Sequence, residues 1–373
     1  MTEIFTGKQL QSLISDNGEL RVRLVPVETP APGPHEVVVK VEAAPLNPSD
    51  IGTLLGPADP ASFRSETGPH GPELVGDIAQ ARLASQRKRL GQPMPVGNEA
   101  CGTIVAAGNG NTDLIGRRVA IWGGGMYAQY RCLPLSDCIL LPEGTQAADG
   151  AALFINPLTA LGFVETVRRE GHSAMIVTAA ASNLGQMLVP LCKAEGMPLI
   201  CIVRREEQVE MLRGLGASHV VISSAPDFED RLLDAVIETG ATIAFDALGG
   251  GTLGNTLLQV METAASRDMG FNRYGSDTCK QLYVYAGLDS SPTMLTRSYG
   301  MAWSAGGWLL FHFLKKAGPE VEARLRERVV AEMHGIFKSH YGKTITLHQM
   351  IEPEVARGYE RKATGEKYLV LPT

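Results

Sequence analysis

Cysteine is scarce in this chain: six in 373 residues, with no C-x-x-C spacing. A disulfide scaffold needs a far higher density, so the thiols read as mostly buried groups of a reducing cytoplasm. Charge of one sign is missing too. The 34 Lys and Arg stand against 40 Asp and Glu, a net −6, which gives no general attraction to nucleic acid or to an anionic membrane. The eight histidines are dispersed and show no metal-ligand spacing. The nearly uncharged apolar stretch 300–314 is rich in Gly and Ser and too short to span a bilayer. The N-terminal residues 1–20 alternate polar and apolar and carry no signal-peptide core. The 41 glycines and 22 prolines follow no short repeat. What is present, 44% hydrophobic and 20% charged residues, describes a globular chain long enough for about two domains.

Two rhythms divide it. From residue 20 to about 142, short strands with Gly and Pro punctuation predict a β-rich unit. Within it, residues 73–90 carry helix formers and charges, the pattern of an inserted helix or a flap. From about 147 the rhythm becomes βαβ. Residues 148–167 read as helix, and apolar runs at 173–179, 199–203, 220–222, 242–246 and 281–286 read as strands, with 308–312 as a candidate sixth. Helical patterns lie between them, as expected for parallel strands covered on both faces. Residues 320–373 hold a charged helix and a closing strand.

The turn after the first of these strands reads AAASNLG (179–185), with small residues at 179, 182 and 185. Such a turn lets a pyrophosphate approach the backbone and the following helix N-terminus, which marks Ala181, Ser182, Asn183 and Leu184 as cofactor-binding candidates. The second strand ends in Val203-Arg204-Arg205 rather than in an acid. Two guanidinium groups there suit a 2′-phosphate and so NADPH; the bland alternative is a solvated helix start. Pro190 falls inside the predicted dinucleotide helix and should kink it.

In this order, these residues resemble the medium-chain dehydrogenase/reductase superfamily. The stretches APLNPSDI (44–51), VGNEACGTIV (96–105), the span 177–221 with LGASH (215–219), and KATGEKYLVL (362–371) carry the resemblance over nearly the whole chain. It implies an α/β protein: a GroES-like β-rich catalytic domain (1–150 and 316–373) with an inserted Rossmann NADP-binding domain, a doubly wound parallel sheet (151–315). An active site in the cleft between them and a homodimer are implied as well. Zinc-dependent members bring a Cys near the 47–50 stretch, a His in Gly-His-Glu, and a four-cysteine loop. Here the stretches read Asn-Pro-Ser-Asp and Gly97-Asn98-Glu99, and the loop is missing, so the expectation is a zinc-independent enzyme with no metal.

Without a Lewis acid, the acceptor must take hydride readily, as quinones and α,β-unsaturated carbonyls do. The zinc-independent branch resembles quinone oxidoreductases on one side and enoyl-thioester reductases on the other. The latter carry a catalytic Tyr about eleven residues past the Asn-Pro-Ser-Asp start, and here Ala58 stands there. A third reading is an NADPH-binding sensor or scaffold with little turnover. The resemblance implies Asn47 beside nicotinamide and acceptor (or as an Asn-Pro turn), and Tyr127 as a wall or donor (or as a packed tyrosine). It places Asn156 and Thr159 near the nicotinamide. Ala247, Leu248 and Gly249 should pass the adenosine ribose or phosphates, and Ala286, Gly287 and Leu288 the nicotinamide. Tyr299 and Trp303 could stack on a flat acceptor or fill a dimer interface. Residues 60–93 and 265–280 look like insertions.

Overall fold

The computed structural model describes residues 4–373; residues 1–3, at the head of the N-terminal stretch read above, lie outside it. The chain forms two compact units, Met1–Ile155 with Val330–Thr373, and Asn156–Val329. The return to the first unit comes at Val330, later than residue 316. Helices Leu310–Ala317 and Pro319–Ala331 stay largely with the second unit, tied by Arg324 to Glu165 at 2.8 Å and by Arg328 to Glu195.

The first unit is β-rich. One sheet runs in the order Arg64–Gly68, Gly71–Asp77, Glu19–Thr29, Phe5–Ile14, Met94–Pro95. The other runs Cys138–Leu140, Arg118–Trp122, Glu99–Ala107, Glu36–Leu46, Tyr368–Leu371, Lys343–Thr346, with Tyr130–Pro134 also paired to Glu36–Leu46. Alternating apolar residues such as Leu10, Val22, Val39, Ile104 and Val370 face one shared core. Residues 73–77 are strand, not helix: their partner Glu19–Arg23 supplies the missing ladder. Only Gln80–Leu83 and a 3-10 turn at Ala84–Arg89 are helical.

The second unit is a six-stranded, all-parallel sheet. In chain order its strands are Met175–Val177, Leu199–Val203, His219–Ile222, Ile243–Asp246, Lys280–Val284 and Trp303–Gly307. Their spatial order is 3-2-1-4-5-6, the doubly wound arrangement whose ligands lie beyond the carboxyl ends of the strands. The sixth strand is Trp303–Gly307 rather than 308–312. Trp308 instead packs its indole on Gly162, where a Cβ would come within 2.8 Å, and donates from Nε1 to Thr166 Oγ1 at 3.0 Å.

Helix Asn183–Ala194 runs through Pro190 without interruption. The predicted helix 148–167 is two helices, Ala147–Gly150 and Ile155–Arg169. The helical stretch Ala147–Arg169 also has the length and apolarity of a membrane crossing, which the sequence reading passed over, but 72% of its most apolar window is buried. The 265–280 segment is pinned by a buried cluster. Ser276 donates through its N–H to Glu262 Oε1 at 2.8 Å and through Oγ to Oε2 at 2.6 Å, and Lys280 Nζ reaches both Ser276 and Glu262.

Candidate functional site

In the second unit, the turn between the first strand and its helix is built for close approach. Ala179 takes a left-handed backbone (φ 49), rare for a residue with a Cβ. Ser182 caps the helix, accepting from Gly185 N–H at 3.3 Å. A Cβ on Gly185 would lie 2.1 Å from Ala180 O, so only glycine fits there. The helix N-terminus at Asn183 and Leu184 therefore fits a pyrophosphate in shape and in polarity.

At the end of the second strand, Gln208 Oε1 accepts the N–H groups of Arg204 and Arg205 at 3.0 and 3.2 Å, and Ser224 Oγ donates to Arg204 O at 2.8 Å. The backbone is thus held while both guanidinium groups stay exposed. Neither forms an ion pair among the described residues, although Glu206 and Glu207 follow directly. The pair thus forms an exposed helix start, as the alternative reading has it, with both guanidinium groups open to an anion.

The segment after the fourth strand spends its own donors. Thr178 Oγ1 donates to Asp246 Oδ1 at 2.7 Å and accepts from Ala247 N–H at 2.8 Å. Asp246 accepts Leu248 N–H at 3.0 Å and Gly249 N–H at 2.9 Å. Leu288 N–H donates to Ala247 O at 3.1 Å, joining the 286–288 segment to it. Ala247, Leu248, Gly249, Ala286, Gly287 and Leu288 therefore form one rigid wall, with the amides of Ala247, Leu248, Gly249 and Leu288 already engaged. Thr159 is buried on helix Ile155–Arg169, in the same unit.

The aromatic candidates of this unit fall in its core. Tyr299 is 0% exposed, and its hydroxyl bonds to Asn255 Oδ1 at 3.1 Å. Its ring meets Trp303 edge-on at 4.9 Å, and Trp303 begins the sixth strand, paired with Lys280. Tyr299 offers no face to a flat acceptor, because its ring turns inward, whereas Trp303 is half-buried against the same core.

In the first unit, Asn47 is 1% exposed and caps helix Pro48–Leu55. Its N–H donates to Asp50 Oδ2 at 2.9 Å, and its Nδ2 donates to Glu99 Oε1 at 2.8 Å. Asp50 Oδ1 accepts from Asn98 N–H at 2.9 Å. Glu99 Oε2 accepts the N–H groups of Phe154 and Ile155, each at 2.9 Å. These contacts form the Asn-Pro turn of the alternative reading. Tyr127 differs from its expected role: it is fully buried in the core and donates to Pro45 O at 3.0 Å. Desolvation, then the neighbouring Asp50 charge, pushes its phenol well above the usual range, a poor state for a proton donor.

Strand pairing adds a residue that the sequence reading left unassigned. Tyr368 pairs with Leu46, so the next residue along each strand is Lys367 on one side and Asn47 on the other. Lys367 Nζ is buried without a hydrogen-bond partner among the described residues, and so is the hydroxyl of Tyr341, whose ring centre lies 5.7 Å from that ammonium. Desolvation lowers Lys367 to about 8 against the opposing charges of Glu99 and Asp50. Burial lifts Asp50 to about 7 and pushes Glu99 upward. The only sequence signal was position: these residues lie within NPSD, GNE and GEKYL, each a stretch of the resemblance.

The donor set does not fit zinc. No group of three or more His, Cys, Asp or Glu among the described residues could hold a metal ion. Both Glu99 oxygens are engaged, and burial pushes the Cys101 thiol up to about 12.

Residues 33–143 match the alcohol dehydrogenase GroES-like domain, and residues 184–267 match a domain described as zinc-binding dehydrogenase, together just over half of the chain. A "Probable quinone oxidoreductase" of Leishmania amazonensis is 30% identical over 178 residues, 46% of this chain and 51% of that protein. A 2-haloacrylate reductase of a Burkholderia species is 29% identical over 171 residues, 44% of this chain and 51% of that one. The chain thus spans about half the length of the curated relatives it matches. The crystal structure of a candidate NADPH:quinone reductase from Mesorhizobium loti superposes with a TM-score of 0.75 at 26% identity, covering all of both chains. With the GroES-like and Rossmann units built as described, the chain belongs to the medium-chain dehydrogenase/reductase superfamily, in its quinone oxidoreductase-like branch.

Proposed function

We propose that this chain is an NADPH-dependent, zinc-independent reductase of small electrophilic acceptors, quinones or α,β-unsaturated carbonyls. The observation that carries the cofactor choice is the pair Arg204 and Arg205. Both are exposed and without ion-pair partners among the described residues, at the end of the second strand of a 3-2-1-4-5-6 sheet. The bound reduced nicotinamide supplies hydride. The chain's residues bind and orient: the Ser182–Gly185 turn takes the pyrophosphate, Gln208 steadies the Arg pair, and the Asp246–Thr178 pair stiffens the wall beside the cofactor. Asn47 orients the acceptor carbonyl. The relatives named as a quinone oxidoreductase and a 2-haloacrylate reductase support the acceptor class. With Ala58 where enoyl-thioester reductases have their tyrosine, quinones suit the site better, since hydroquinone oxygens take protons through water. Six unpaired cysteines suit a cytoplasmic setting.

The test is NADPH consumption, followed by near-ultraviolet absorbance, with benzoquinone, naphthoquinone and a crotonyl thioester. Quinone-dependent loss supports the reading. Preference for the thioester favours enoyl reduction, and tight NADPH binding without turnover favours a sensor. Replacing both arginines, Arg204→Ala with Arg205→Ala, should weaken NADPH binding by roughly 10²- to 10⁴-fold while leaving NADH unchanged, since each charged hydrogen bond is worth about 1.5–3 kcal/mol.

A further inference from the structure

Arg131 lies on strand Tyr130–Pro134, opposite Val39. Its guanidinium is largely withdrawn from water, yet it has no ion-pair or hydrogen-bond partner among the described residues, and its Nε is buried without an acceptor. Desolvation holds the group below the ordinary arginine value, with no carboxylate near enough to offset it. Such a charge costs free energy, and an arginine keeps its proton rather than neutralise. The guanidinium lies over a glycine loop: a Cβ on Gly125 would come within 3.4 Å of its Cζ and Nη1. Gly123, Gly124 and Gly125 all take positive φ (120, 88 and 69), a backbone that glycine alone adopts freely. Gly123 N–H donates to Asn98 O at 3.3 Å and Met126 N–H to Gly97 O at 3.1 Å, whereas the N–H groups of Gly124 and Gly125 take no acceptor among the described residues. Gly125 is buried, where a backbone donor is normally paired. Asp137, beside Gly123, accepts from Ser136 at 3.3 Å and leaves these donors alone. Through Asn98 the loop is tied to the Asn-Pro-Ser-Asp helix, at Asp50 Oδ1 (2.9 Å) and Ser49 Oγ (3.0 Å).

We propose that Arg131 and the amides of Gly124 and Gly125 form an oxyanion site, which binds an acidic group, carboxylate or phosphate, carried by the acceptor. A guanidinium fork matches such groups in shape and charge, and successive backbone N–H groups in a turn favour the same ligands. The anion site stands on these contacts alone. Its link to the acceptor rests on the reading of the chain as a reductase of small electrophiles, and it narrows that class to acceptors bearing an acid.

The experiment compares the native chain, R131M and R131K. The first readout is thermal unfolding in sodium acetate or sodium phosphate against sodium chloride at equal ionic strength. General salt effects raise all midpoints alike; the site adds a further rise in the native chain that R131M lacks and R131K, with the charge but not the fork, keeps only in part. In chloride, R131M should unfold no earlier than the native chain, because Arg131 has no partner to lose; if it does not fold, R131K carries the comparison. The second readout is kcat/KM for benzoquinone against a benzoquinone with a carboxymethyl arm. R131M should lower the preference for the acidic acceptor by roughly 10- to 100-fold, the scale of one charged hydrogen bond, chiefly through KM. Equal anion responses in the native chain and the variants overturn the site. An anion response with an unchanged acceptor preference overturns the link to the acceptor and leaves a site for free anions. If the native chain reduces neither quinone, the unfolding series still decides on the anion site, since it needs neither acceptor nor cofactor, and the failure belongs to the proposed function.

Discussion

Lys367 carries a buried ammonium into the first unit with no hydrogen-bond acceptor among the described residues, an arrangement that costs free energy whenever the group is charged. Its folded value of about 8 lies below the ordinary lysine value of 10.5. Between those limits the unfolded chain holds more protons than the folded one, so this group adds stability as pH rises through that window. Relative to Lys367→Met, the native chain should therefore gain about 3 kcal/mol between about pH 8 and pH 10.4, read as the difference between two denaturant-unfolding series. A constant difference would mean that the ammonium is solvated. At this scale the sequence showed identities but not meetings. Asn47 was legible from its Asn-Pro-Ser-Asp context. Its neighbours Glu99 and Lys367 were not, because only strand register brings positions 47, 99 and 367 together. Tyr127 and Tyr299 were misread for the complementary reason: a tyrosine in a glycine-rich stretch does not announce whether its ring turns inward.

The strand–turn–helix element at 175–194 was the most legible part of the chain, since small residues at 179, 182 and 185 follow from backbone geometry. Two substitutions within it should act in opposite directions. Gly185→Ala places a Cβ 2.1 Å from Ala180 O and should cost about 1–3 kcal/mol of stability, together with NADPH affinity. Ala179→Gly relieves a left-handed alanine (φ 49) and should be neutral or stabilising by up to about 1 kcal/mol. Thermal unfolding with and without NADPH checks both; equal effects would mean that the turn is not held as described. The sixth strand was illegible because its residues, Trp-Ser-Ala-Gly-Gly, carry almost no apolar signal. The adjacent Trp-Leu-Leu-Phe-His run took its place in the reading, although Leu310–Ala317 is an amphipathic helix. Residues 73–77 were hidden by their charges: Glu73 is 2% exposed and carries an ion pair with Arg21.

At the scale of the whole molecule, the two-unit plan and the change of rhythm near residue 150 were visible in the sequence, because alternation and βαβ spacing are long signals. The late return at Val330 was not, since helix Pro319–Ala331 is amphipathic and suits either unit. The strand Trp303–Gly307 closes one edge of the parallel sheet, and its residues 304–307 are exposed. Such an edge is a template for another strand, and two copies meeting edge to edge about a twofold axis pair antiparallel without further design. We propose this edge as the contact of the homodimer that the resemblance implies. Ala305→Lys should convert a dimer to monomers through like-charge repulsion, as measured by analytical ultracentrifugation; a native monomer, or a dimer indifferent to this lysine, would remove the proposal.

The first unit is assembled from both ends of the chain: Tyr368–Val370 pairs with Ala44–Leu46, whereas Asn156–Val329 is continuous. During synthesis, then, strand Glu36–Leu46 cannot complete its sheet until residues 368–371 have been added. The second unit can fold while translation is still under way. A chain halted soon after residue 329 would hold a finished nucleotide-binding unit beside an open β-sheet, with the strand edge meant for residues 368–371 left for quality-control machinery to find.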